Sequence, residues 1–63
     1  MAKTDITIMM NQVNGNVLSV VGAVSNALRR GGSRDLVDEY RTEALSGDYN
    51  HVLRTSMEYV NFE

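Results

Sequence analysis

The chain has 63 residues, no Cys, a single His, and six Lys and Arg against eight Asp and Glu, for a formal net charge of −2. This describes one small domain, residues 1–63, without a disulfide, a thiolate metal site or a histidine-rich one, and without the basic excess that draws a protein to nucleic acid or to an anionic membrane. No apolar run approaches the roughly 18 residues of a membrane span, and the opening Met1-Ala-Lys-Thr-Asp5 lacks the apolar centre of a signal peptide, so a soluble cytoplasmic protein is expected.

Residues 5–10 come first. Ile6, Ile8 and Met10 alternate with Thr7 and Met9, and two β-branched Ile with a Thr favour a strand. Asn14-Gly15 then signals a turn. From Val17 the apolar residues Val17, Val20, Val21, Val24, Ala27 and Leu28 repeat at helical spacing. Asn16 is placed to cap that helix, Arg29 and Arg30 suit its negative end, and Gly31-Gly32 stops it, one glycine being left-handed. Gly22 and Ala23 leave a small-residue notch where another helix could approach.

Ser33 is expected to cap a second helix with Asp35 in its first turn. Its apolar stripe is Leu36, Val37, Tyr40, Ala44 and Leu45, and Ser46-Gly47 ends it. Asp48 then caps a third helix with the stripe Tyr49, Val52, Leu53, Ser56, Met57 and Val60. Proline, which would break these helices, is absent. Tyr59, Val60 and Phe62 finish as a short extended tail. The tyrosines lie on or near the apolar stripes, so their rings are expected to pack with the hydroxyls at the rim. The fold class is therefore α+β: a short N-terminal strand, three helices and an extended end.

A lone strand leaves backbone N–H and C=O groups without partners. The tail around Val60–Phe62 is one candidate partner, and the same strand of a second copy is the other. A domain this short buries only about 60% of its unfolded surface, so the second copy is the favoured expectation. Ile6, Ile8, Met9 and Met10 are then the self-association residues and a homodimer the first state to look for.

Three constellations could carry chemistry. His51 lies three residues from both Asp48 and Arg54, but without a second His or a Cys to complete a site a surface histidine is the better reading. Arg29, Arg30 and Arg34 bracket the Gly-Gly turn and form a candidate anion site, helped by the amides at the start of the second helix; dipole compensation is the plainer alternative. The second and third helices have the connection length of a helix-turn-helix, which would present Asn50, His51, Arg54, Thr55 and Glu58 to DNA. One Arg with one Glu is a thin basic face for a contact dominated by phosphate charge, so nucleic acid is a disfavoured partner. No cofactor and no enzymatic activity are expected.

The run Ser46-Gly47-Asp48-Tyr49-Asn50-His51-Val52-Leu53, continuing to Met57-Glu58-Tyr59-Val60, resembles a pattern seen in small uncharacterised proteins of bacteriophages and bacterial mobile elements. The apolar strand running into Gly15-Asn16, and a helix ending at Arg29-Arg30, are similar too. Typical members carry an acidic residue where this chain has Asn14. The resemblance covers Ile6 to Phe62 and implies an accessory protein with no catalytic residues, a phage or host protein as a possible partner, and the host cytoplasm as its place. The function expected from the whole reading is a non-enzymatic protein acting through protein–protein contacts and self-association, with a small nucleic-acid-binding regulator as the alternative.

Overall fold

The computed structural model describes residues 2–9 and 15–63. Strand β1 (Thr7–Ile8) is followed by helices α1 (Val17–Arg30), α2 (Val37–Ala44) and α3 (Tyr49–Tyr59) and by strand β2 (Asn61–Phe62). The two strands form a parallel pair, Thr7 opposite Asn61 and Ile8 opposite Phe62. An α+β fold thus stands. The predicted strand is shorter than residues 5–10, and Met10 lies outside the described residues.

The caps explain where each helix begins. Asn16 Oδ1 accepts the Leu18 amide at 2.8 Å, and Asp48 Oδ1 accepts the His51 amide at 2.9 Å; each satisfies a first-turn donor that the helix leaves orphaned. At the other end of α1, Gly32 takes a φ of 83°. That left-handed residue lets the Ser33 amide reach Leu28 O at 2.8 Å and the Gly32 amide reach Arg29 O at 3.4 Å, the two bonds of a Schellman ending.

Ser33 departs from its expected role. Its amide closes α1, its backbone sits at φ −110°, ψ 36°, and its side chain makes no capping bond. The chain tightens instead into a 3₁₀ turn over Arg34–Leu36, closed by Leu36 N–H donating to Ser33 O at 2.9 Å. Helix α2 consequently begins only at Val37 and ends before Leu45, which is exposed.

The core is built from Val20, Val21, Val24 and Leu28 of α1, Val37, Tyr40 and Ala44 of α2, and Val52, Tyr59 and Val60 at the end of the chain. Tyr40 lies wholly inside, against the expectation of a rim hydroxyl. Its OH donates to Ser56 Oγ at 2.6 Å, because Ser56 Oγ itself donates to Val52 O at 2.7 Å. Its ring meets Tyr59 edge-on, 5.2 Å between centroids at 67°, a favoured aromatic geometry. Burial raises the Tyr40 hydroxyl above its ordinary pKa.

Helix α3 is rotated from its predicted stripe. Thr55 and Tyr59 turn inward with Val52 and Ser56, while Tyr49 and Met57 are exposed and Leu53 sits at the flank. Thr55 and Tyr59 are three and seven residues past Val52, so they share its face as well as Ser56 does. The inward position of two hydroxyls suits the helix because each has a nearby acceptor or donor.

Ser25 on α1 does not. It is 1% exposed, and its Oγ has no hydrogen-bond partner among the described residues. An orphaned buried hydroxyl costs about 1–3 kcal/mol, and Ala is the better helix former. Ser25→Ala is therefore expected to stabilise the fold by about 1 kcal/mol, raising Tm by about 4–8 °C in a thermal melt.

The N-terminal segment is pinned to the far end of α3. The Lys3 amide donates to Glu58 O at 2.8 Å, and Thr4 Oγ1 donates to Tyr59 O at 2.7 Å. Glu39 on α2 completes the clasp: its Oε2 accepts from Lys3 Nζ at 2.9 Å and from Tyr59 OH at 2.6 Å. The Lys3 ammonium also lies 4.7 Å from the Tyr59 ring centre. The hydrogen bond from Tyr59, then that from Lys3, holds the Glu39 carboxyl below its usual pKa. The bond to Glu39 raises Lys3, and burial raises Tyr59.

These shifts give the direction in which stability changes with pH. A depressed carboxyl contributes stability above its unfolded value and loses it as pH falls, so Tm should decline below about pH 5. Lys3, Tyr40 and Tyr59 are all raised, so the folded state holds their protons longer and stability falls again above about pH 10. Glu39→Gln should flatten the acid limb in melts taken across pH, and an unchanged acid limb would refute the assignment.

Candidate interaction groove beside the first strand

Asn61 N–H donates to Ile6 O at 2.8 Å and Glu63 N–H to Ile8 O at 2.9 Å. The strand predicted to need a second copy is thus paired by the tail of its own chain, the alternative that the sequence also allowed. The hydrogen-bonding reason for a dimer disappears for that edge alone. Strand groups alternate in direction, so with Ile6 and Ile8 facing β2 the N–H and C=O of Thr7 face the other way. The sheet has two strands, and that outer edge carries no ladder among the described residues.

A groove of about 420 Å³ runs along this edge. One wall is Thr7, Ile8 and Met9; the other is α1, through Ala23, Asn26, Ala27 and Arg30. No β2 residue lines it, so it lies on the side of β1 away from β2. Two alanines make the space: a longer side chain at either position would fill it. The notch predicted at Gly22 and Ala23 is half used. Among the described residues nothing stands within 4 Å of where a Gly22 Cβ would be, and Ala23 lines the groove opposite β1.

The predicted self-association residues divide. Ile6 and Ile8 are half-buried and pack on the core, which anchors β1. Ile6 lies so close to Gly31 that any Cβ added there would run into Ile6 Cδ1, and Gly31→Val should loosen the strand. Met9 is 46% exposed at the groove.

The three arginines do not converge on an anion site of the expected kind. All three are exposed. The Gly31, Gly32 and Ser33 amides donate to α1 carbonyls, and of the amides at the start of the second helix, expected to help hold an anion, Leu36 N–H donates to Ser33 O and Val37 N–H to Arg34 O. Arg29 Nη1 donates to Asn26 Oδ1 at 3.3 Å, and Arg34 belongs to the 3₁₀ turn. Arg30 alone reaches the groove, and no ion pair occupies it among the described residues.

His51 has a structural job. Its Nε2 lies 2.9 Å from Glu43 O, which can only accept, so that nitrogen carries the proton and ties α3 to the end of α2. Ser46 Oγ, 3.3 Å away, donates to the same Glu43 carbonyl at 2.7 Å, so the pair is not arranged as a base and nucleophile. Glu43 Oε1 lies 3.5 Å from the ring nitrogen. Of the residues a helix-turn-helix would present, Thr55 is 2% exposed and His51 is turned toward α2; Asn50, Arg54 and Glu58 face outward.

No local pattern in the sequence points to Asn26 or Ala27 as groove residues or to the Lys3–Glu39–Tyr59 clasp. Ala27 had the spacing of a core residue, and only the docking of β1 turns it into a groove floor. No protein-family model matches this sequence, and no match is found among curated proteins or solved structures. No helix among the described residues is long and apolar enough to cross a membrane.

Proposed function

We propose that this chain is a small non-enzymatic protein that works through protein–protein contacts, with the outer edge of β1 as its working surface. A second copy is its first partner, and its setting is that of phage or mobile-element accessory proteins in a host cytoplasm. The observation that carries this reading is the open Thr7 edge lying directly beside a groove that already contains Ile8 and Met9. An unpaired strand edge is a template for another strand, and among the described residues this one has Ile8, Met9, Ala23 and Ala27 beside it, with Arg30 as the charged group of the groove.

Sedimentation equilibrium from micromolar to millimolar protein tests it. The expected result is a monomer–dimer equilibrium, shifted toward monomer in Thr7→Pro. That substitution removes only an outward-facing N–H, a change edge strands tolerate. A monomer at every concentration would overturn self-association.

A further inference from the structure

We infer that the groove accepts an extended peptide segment running antiparallel to β1, with a carboxylate at the end that meets Arg30. The inference rests on the outer edge of β1 being the working surface, and it goes further by assigning the direction and the chemical end of the occupant.

Direction comes from one contact and from the residues that line the groove. Ile6, just before β1, abuts Gly31, just after α1. From there the groove wall runs back along the helix from Arg30 through Ala27 to Ala23 while the strand advances from Thr7 to Met9. Arg30 to Ala23 is seven helical steps, about 10.5 Å, and Thr7 to Met9 is two strand steps, about 6.6 Å, so the strand covers roughly two-thirds of the helix wall and runs in the opposite direction. Arg30 therefore marks the Thr7 end and Ala23 the Met9 end.

The edge and walls then select the occupant. The N–H and C=O of Thr7 offer one ladder pair to a backbone alongside. Ala23 and Ala27 leave depth for small apolar side chains, and every second side chain of an added strand points into that space. An antiparallel strand ends toward the start of β1, which places its last residue at Arg30. The guanidinium there has no ion pair among the described residues, and its planar fork suits a carboxylate. A peptide with a basic end would set like charges together in the same place.

Fluorescence polarisation on the full chain tests this with labelled Ser-Val-Thr-Val-Ala carrying a free C-terminal carboxylate, its C-terminal amide, and an amidated version ending in Asp. The expected result is at least tenfold tighter binding of a carboxylate-bearing peptide than of the plain amide. The free-acid and Asp peptides distinguish a terminal from a side-chain carboxylate. Arg30→Ala should abolish the preference, and Ala27→Leu, which fills the groove from the α1 side, should abolish binding; an unchanged circular dichroism melt confirms that each variant is folded. Equal binding of acid and amide, or a preference that survives Arg30→Ala, overturns the inference. Dimerisation that persists with no peptide binding up to millimolar concentration overturns it too, while leaving the protein-contact reading intact.

Discussion

Tyr40→Ala will leave the protein largely unfolded at room temperature. Tyr40 is fully buried between the helices, edge-on to Tyr59 and bonded to Ser56. Truncating a buried aromatic costs about 3–5 kcal/mol, and a 63-residue domain has only roughly 3–9 kcal/mol to lose. The lost hydroxyl adds to the damage, since Ser56 would lose a neighbour in a space too apolar for water to replace it well. Tyr40→Phe separates the two effects: it keeps the ring, loses the bond, and should cost about 1 kcal/mol. Urea titration followed by circular dichroism measures both. A Tyr40→Ala protein that melts within a few degrees of the parent would mean that the core is centred elsewhere.

Asn61→Pro is the second large effect, and it is local. The Asn61 amide donates to Ile6 O, and proline has no amide to donate. Val60 before it is extended, at φ −137° and ψ 165°, so the backbone there already suits a following proline. The loss falls on the ladder: a half-buried carbonyl left without its donor costs about 1–3 kcal/mol, and Ile6 and Ile8 lose their purchase on the core. Limited proteolysis should cut the N-terminal segment of this variant at least tenfold faster, with α1 and α3 still protected. Cutting at the parental rate would show that β1 is held by its side chains and the clasp alone.

The helices were legible because their signals are local. Asn16 and Asp48 cap as their chemistry requires, and Gly32 is left-handed because a Schellman ending needs that conformation. Ser33 misled because a residue can serve only one neighbour at a time; its amide closes α1, and the backbone shape that follows is no longer that of a cap. The inward turn of Thr55 and Tyr59 on α3 depended on which helix lay opposite, and periodicity defines a face only to within a residue or so.

The site was half visible. Alternation at Ile6, Thr7, Ile8 and Met9 correctly marked a strand that needs a neighbour, but not which of its two edges the tail would fill. The parallel pairing joins residues 54 apart in sequence, Thr7 and Asn61, and no local pattern encodes such a pairing. Arg30 was noted for its place near the end of a helix. Its place at the end of a groove exists only once β1 docks across α1.

Amide hydrogen exchange, read residue by residue by NMR at several protein concentrations, reports whether β2 fills one edge of β1 and leaves the Thr7 edge for a partner. Slow exchange is expected at Ile8, Asn61 and Glu63 at every dilution. Fast exchange is expected at Thr7 in dilute protein, slowing as the concentration rises or as a carboxylate-bearing peptide is added. Thr7 protected as well as Ile8 at the greatest dilution, or Thr7 equally fast with every partner and concentration, would contradict it.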